Sequence, residues 1–271
     1  MSITKFIEIH DYSTLNKYMA AFSLKHMGLL IIVSRAGLGK SYLVEQNLEV
    51  EAPLLLNSHV TPLRFYQLLY ERTQEEKDCL LIIDEAEMMF QNPKLKTMLK
   101  ITCDTRDEKI IKYDSTSPLL AGVPKEFSTE VKTVLLLNTL NPSDEHIKAI
   151  MSRGHLVYFN PPDVEILNYL KGWGEDKEVI KFIGDFASHS KSLNLRTYVK
   201  AVESKKAGLN WEQEVINELD LDNRFLVIRS LIKNYKTDKE RIIGWTKITR
   251  ESRANYFRWK KLYDNKNKRG N

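Results

Sequence analysis

Residues 28–41 read GLLIIVSRAGLGKS, and this stretch restricts the possible fold more than any other. Leu29–Val33 is a short apolar run of the kind that makes a strand covered on both faces of a parallel sheet. Ser34 to Gly39 then turn the chain, and a helix can begin at Lys40 and Ser41. A strand, glycine turn and helix in that order aim successive backbone N–H groups and the positive end of the helix dipole at one point, which suits a triphosphate. The stretch fits the phosphate-loop pattern G-x-x-x-x-G-K-[ST], except that Ser34 occupies the first glycine position. That position eases the chain out of the strand, so Ser34 bears on loop geometry more than on phosphate contact. The expected nucleotide-binding residues are Ala36, Gly37, Leu38, Gly39, Lys40, Ser41 and Tyr42. Lys40 would reach the outer phosphates of ATP, and the Ser41 hydroxyl would ligate Mg²⁺. Alone, the stretch also fits an ordinary strand-to-helix turn.

A second motif weighs against that plainer reading. CLLIIDEAE at 79–87 runs an apolar strand straight into Asp84 and Glu85. The carboxylates then sit at the carboxyl end of a buried strand, where open α/β sheets bind ligands. Asp84 would hold Mg²⁺ opposite Ser41, and Glu85 would orient and deprotonate the attacking water. By itself, Asp-Glu could instead cap a helix over 86–100, since acids favour a helix N-terminus. Beside a phosphate loop, the catalytic reading is the stronger one.

A third apolar strand over 134–137 ends in Asn138. A short helix over 142–150 follows, Arg153 and Gly154 break it, and His155–Phe159 forms the last strand. Further on, Arg196 falls in the first turn of a helix carrying Tyr198, Val199 and Val202. The order and spacing of these elements over about 28–206 resemble an AAA+ ATPase. The resemblance implies an α/β fold, with a parallel-sheet αβα core and a helical lid, and ATP and Mg²⁺ as ligands. It also implies that Asn138 acts as the first sensor, Arg153 as the arginine finger reaching a neighbouring subunit's phosphate, and Arg196 as the second sensor. Guanidinium groups suit that work, because the phosphoryl-transfer transition state spreads charge over its outer oxygens. A self-assembled ring or spiral, hexamer-like, follows from the same resemblance.

The remaining segments fit around this core. Residues 1–27 read as a lead-in with a packing helix over about 13–25. Residues 53–57 look like a second buried strand, and Thr61 and Pro62 start a helix whose Leu63, Phe65, Tyr66, Leu68 and Leu69 supply a core stripe. Between Cys103 and Thr133, strand-like runs at 109–113 and 126–131 flank a Ser, Pro and Gly stretch, which predicts an inserted β-hairpin. It resembles the hairpin with which one group of AAA+ proteins lines the ring pore, with Lys109, Lys112 and Lys125 offered to a polyanion; a flap over the sheet edge is the equal alternative. The expected organisation is 1–27 lead-in, 28–160 core, 161–208 helical lid and 209–271 basic helical extension.

Charge separates the ends of the chain. Residues 224–271 hold 15 Lys and Arg against 4 Asp and Glu, a net +11, so the first 223 residues carry −6 of the overall +5. Two helices near 238–245 and 251–263 resemble a helix-turn-helix that would present Arg250, Arg253, Arg258, Lys260 and Lys261 among Tyr256, Phe257 and Trp259. Cations interleaved with aromatics suit phosphate contact on one face and packing on the other. The leading expectation is therefore a Mg²⁺-dependent ATPase acting on DNA in replication, helicase loading or transposition. The competing one is a protein remodeller or nucleotide-switched scaffold whose tail binds a protein partner. Residues 59–65 (HVTPLRF) lack the aromatic-hydrophobic-Gly loop of typical remodellers. The chain has no apolar run long enough for a bilayer and no metal-ligand histidine spacing. Cys79 and Cys103 read as reduced and structural, and a cytoplasmic location is expected.

Overall fold

The computed structural model describes residues 6–48, 53–57, 59–141, 143–187, 190 and 193–267. The chain forms two compact units, Met1–Pro161 and Pro162–Asn271. No helix among the described residues is long and apolar enough to cross a membrane.

The first unit is built on a parallel sheet of β1 (Ile7–Ile9), β2 (Leu29–Val33), β3 (Leu54–Asn57), β4 (Leu80–Asp84), β7 (Lys132–Leu137) and β8 (His155–Phe159). The strand order is β1-β8-β2-β7-β4-β3. β2, β4 and β7 lie inside the sheet and are apolar almost throughout, because a parallel strand with helices over both faces has no solvent side. Leu29 pairs with Thr133 and Val33 with Leu137, while Ile83 pairs with Leu135, so the three strands end within one residue of one another. This register brings the phosphate loop, Asp84 and Asn138 out on one edge.

Two strands differ from expectation. β3 closes one edge of the sheet, and only Leu56 of its four residues is buried, so it is not the second buried strand that its apolar sequence predicts. The other edge is β1, three residues of the lead-in that pair with β8 and had no signal of their own. After it, Asp11 accepts a hydrogen bond from the Thr14 N–H (2.7 Å) and starts α1 (Tyr12–Ser23), which buries Tyr12, Leu15, Met19 and Phe22.

α2 (Lys40–Leu48) follows the phosphate loop, and Thr61 caps α3 (Pro62–Glu75) as its sequence predicts. The single helix expected over 86–100 is instead two, α4 (Ala86–Met89) and α5 (Pro93–Thr102). Asn92 causes the break: its side chain accepts from the Lys94 and Leu95 N–H groups, and Pro93, which lacks an N–H, suits only the first turn of a new helix. α6 (Glu145–Met151) starts from Asp144; the expected start at 142 lies outside the described residues. Gly154 follows, and a Cβ there would lie 2.5 Å from Leu29 Cγ, so β8 enters the sheet beside β2 only with glycine at this point.

The insert is an antiparallel hairpin of β5 (Lys109–Lys112) and β6 (Glu126–Thr129). It rests on α3: the Tyr66 hydroxyl donates to the Pro124 carbonyl (2.7 Å), and the Tyr66 ring lies 5.3 Å from Tyr113 and 5.1 Å from Phe127.

The second unit contains α7 (Asp163–Trp173), α8 (Lys177–Ala187), α9 (Leu195–Lys206), α10 (Trp211–Glu218), α11 (Arg224–Asn234), α12 (Asp238–Thr249) and α13 (Arg253–Asn267). Phe182 of α8 meets Trp211 of α10 edge-on, and Arg229 of α11 lies 4.3 Å above the Phe182 ring. Tyr263 of α13 packs on Phe186. The helices on either side of residue 208 thus share one aromatic core. Ile228, Leu231, Trp245 and Tyr256 form a second buried cluster, where each aliphatic side chain contributes about 1.5–3 kcal/mol.

Candidate nucleotide site and basic C-terminal helices

The phosphate loop leaves β2 without a glycine at its first position because none is needed. Ser34 is buried, its N–H donates to the Leu137 carbonyl (3.1 Å), and it does not have a positive φ. The left-handed conformations fall on Gly37 (φ 81°) and Gly39 (φ 79°), where a side chain would be strained. Leu38 between them is fully buried and pins the loop to the core, while Ala36 is exposed. The Leu43 N–H donates to the Gly39 carbonyl (2.9 Å) and opens α2, in which Tyr42 accepts at its hydroxyl from Gln46.

Four predicted site residues from three strands come together here. The Lys40 ammonium donates to the Ser34 carbonyl (2.7 Å), the Arg35 carbonyl (3.3 Å) and Asn138 Oδ1 (3.0 Å). The Ser41 hydroxyl donates to Asp84 Oδ2 at 2.5 Å. An alcohol and a carboxylate converging in this way are the oxygen donors that Mg²⁺ takes, so the pair fits the ion expected there. Glu85 follows with φ 52°, a left-handed conformation uncommon outside glycine, and its side chain is exposed at the strand tip. Sequence reasoning missed Glu87. Its Oε1 accepts from both the side-chain Nδ2 (3.1 Å) and the backbone N–H (3.3 Å) of Asn138. The only trace in the sequence is a third acid in DEAE, which reads as a helix-surface residue.

Arg153 sits between α6 and β8, with its side chain 26% exposed. Its guanidinium donates to the Lys100 carbonyl (2.6 Å) and lies 3.6 Å from Asp104. Asp104 is held down to about pKa 2, chiefly by the Arg106 side chain hydrogen-bonded to it. Arg196 is exposed in the first turn of α9, which Asn194 caps, and belongs to the second unit.

The hairpin cations are not all available. Lys109 is 1% exposed, and its ammonium donates to the Val131 carbonyl (2.8 Å), so it cannot meet a polyanion as expected. Burial also draws its pKa down. The strand alternates, and the pattern Lys-Ile-Ile-Lys turns Lys109 and Ile111 inward and leaves Ile110 and Lys112 outside. Lys112 and Lys125 are exposed and paired with Glu126 and Asp114.

α12 and α13 are joined by residues 250–252, the length of a helix-turn-helix turn. Arg250 makes the turn at φ 59°. Tyr256, Trp259, Lys260 and Tyr263 recur along the inner face of α13 at helical spacing. Lys260 also differs from expectation: its ammonium donates to both oxygens of Asp238 (2.8 Å each), beside the Tyr256 hydroxyl on the same carboxylate. It closes α13 onto α12 instead of facing outward. Arg250, Arg253, Arg258 and Lys261 are exposed, and Arg253 lies 5.6 Å above the Phe257 ring. Ile243 and Ile248 of α12 are 63% and 59% exposed.

A parallel sheet in this order, with a glycine turn after the strand beside Asn138, acidic residues closing the next strand and a helical unit following, is the α/β arrangement that the sequence predicts. No protein-family model matches the chain, and no curated protein sequence does. Solved structures do. AMPPCP-bound DnaA from Aquifex aeolicus matches at 17% identity and a TM-score of 0.44, over 98% of this chain and 95% of that one. A DNA replication initiation factor matches at 15% and 0.42, over 90% and 83%. PCH-2 from C. elegans matches at 15% and 0.44, over 78% and 69%.

Proposed function

We propose that the protein is a Mg²⁺-dependent ATPase that assembles into a ring or spiral and acts on DNA. The observation that carries this reading is the convergence of Lys40, Ser41, Asp84 and Asn138 at one sheet edge, with Lys40 on Asn138 and Ser41 on Asp84. ATP would lie along residues 36–42, with Lys40 exchanging its loop carbonyls for phosphate oxygens. Ser41 and Asp84 would hold Mg²⁺, which when bound neutralises charge on the β- and γ-phosphate oxygens. Glu85 would take the proton of the attacking water, and Asn138 would fix that water's position. Arg153 of a neighbouring copy would reach the outer phosphate, and Arg196 would read the nucleotide from a lid at 161–208. Residues 28–160 would be the nucleotide-binding core, with the 1–27 strand and helix packed on it.

DNA is the proposed substrate because Arg250, Arg253, Arg258 and Lys261 face outward together around a helix-turn-helix turn. The extension at 209–271 would dock them on phosphates while hydrolysis changes how copies pack. The exposed Ile243 and Ile248 favour a second reading, in which the same extension holds a protein partner. ATPase rate with and without DNA, together with particle mass with and without ATP, separates the two. Stimulation by DNA and growth in mass with ATP are expected. A rate and mass indifferent to both would leave the scaffold reading.

A further inference from the structure

We infer that Glu87 is a positioning residue that sets which end of the Asn138 side-chain amide faces Lys40. The inference rests on the ATPase reading above, since it concerns how that site is held ready.

An asparagine amide has a donor end and an acceptor end of nearly the same shape, so its neighbours alone decide how it points. A lysine ammonium only donates, and an ionised carboxylate only accepts. Asn138 lies between one of each. Its Oδ1 faces Lys40 at 3.0 Å, and its Nδ2 faces Glu87 Oε1 at 3.1 Å. A flipped amide would set NH₂ against the ammonium and oxygen against the carboxylate, two repulsions in place of two bonds. Glu87 also takes the Asn138 backbone N–H (3.3 Å), which fixes the end of β7 as well as the side chain.

Glu87 is half-buried, and its Oε2 is enclosed without a hydrogen-bond partner among the described residues. A buried carboxylate oxygen left unsatisfied is costly, and a helix-surface acid would have no reason to keep one. α4 is a short separate turn, ended before Asn92 starts α5, and it lies against β7, the strand that leads into Asn138.

The test uses the full chain. Glu87→Gln keeps the shape but gives the side chain a reversible amide, so the lock on Asn138 is lost. The expected result is a kcat about 10-fold lower, with KM for ATP within about twofold and an unchanged melting temperature. Asn138→Asp sets two carboxylates face to face. The double variant Glu87→Gln/Asn138→Asp restores a donor opposite an acceptor, so it should exceed the Asn138→Asp rate, which a merely structural role would not produce. On the unaltered protein, the Asn138 side-chain NH₂ signals, identified by their loss in Asn138→Asp, should exchange slowly with solvent. Independent, multiplicative effects of the two substitutions, or fast NH₂ exchange, would overturn the inference while leaving the ATPase reading standing. An unaltered protein that neither binds nor hydrolyses ATP would remove both.

Discussion

The Lys40 ammonium and the Asn138 side-chain oxygen lie 3.0 Å apart across 98 positions of sequence. In the proposed function Lys40 would carry charge to the phosphates and Asn138 would position the attacking water, so their removal should have different signatures. Lys40→Ala is expected to weaken ATP binding about 10- to 100-fold, from the loss of a charge-assisted bond. Asn138→Ala should leave binding within a few-fold and lower turnover. Titration with a fluorescent ATP analogue, beside phosphate release, resolves the two; equal loss of binding in both would merge their roles.

Glu85 ends β4 in a left-handed conformation with its carboxylate exposed. Glu85→Gln should bind ATP normally and lose turnover by at least about 10²-fold. Glu85→Gly removes the same carboxylate and relaxes the backbone, so it should be equally inactive and about 1 kcal/mol more stable. Denaturant melts of the three proteins check the second half, and a less stable glycine variant would contradict it.

Arg153 is tied to the Lys100 carbonyl and faces Asp104 within its own chain. Arg153→Ala should abolish turnover and also lower the melting temperature, whereas alanine at the exposed Arg196 should cost little stability. Mixing Arg153→Ala with Lys40→Ala protein should restore part of the activity if the site is shared between copies. No recovery at any ratio would place the completed site within one chain.

The phosphate loop, the acidic strand end and the strand carrying Asn138 were legible because each joins an apolar run to a residue with one chemical use. The fold class followed from their order. What was not legible depended on partners far away in sequence. β1 is three residues long, and only β8 makes it a strand. Glu87 and Lys109 look like surface charges until Asn138 and the Val131 carbonyl are seen beside them. The break at Asn92 has a sequence signal of its own, since an Asn-Pro pair ends one helix and caps the next.

The basic helices divide cations by face, and the salt dependence of DNA binding should divide them the same way. Arg258→Ala and Lys261→Ala are each expected to reduce the slope of log K against log salt by about 0.9, and ending the chain before Arg224 should remove most of it. Lys260→Ala should leave the slope nearly unchanged and lower the melting temperature, because its ammonium belongs to Asp238. Fluorescence anisotropy at several salt concentrations gives the slopes; a full-sized loss at Lys260 would put it on the outer face after all.

Asp238 is held down to about pKa 2, first by Lys260 and then by the Tyr256 hydroxyl. Its folded pKa lies below its unfolded value, so the clasp contributes stability above about pH 4 and loses it as pH falls towards 2. Asp238 is 37% exposed, and solvent screening keeps the effect below about 1 kcal/mol. Thermal melts from pH 6 to 2 should therefore converge for the unaltered protein and Asp238→Asn. Parallel curves would take Asp238 out of the acid response.

Arg250 serves two demands that pull apart. The turn between α12 and α13 bends at a backbone angle that glycine adopts freely, and the same position carries one of the tail's outward cations. A library at this codon sorted only for heat resistance would drift to glycine and thin the positive field. One sorted for capture of a polyanion would retain arginine and bear the local distortion, so the identity of this single side chain records which pressure the tail has answered to.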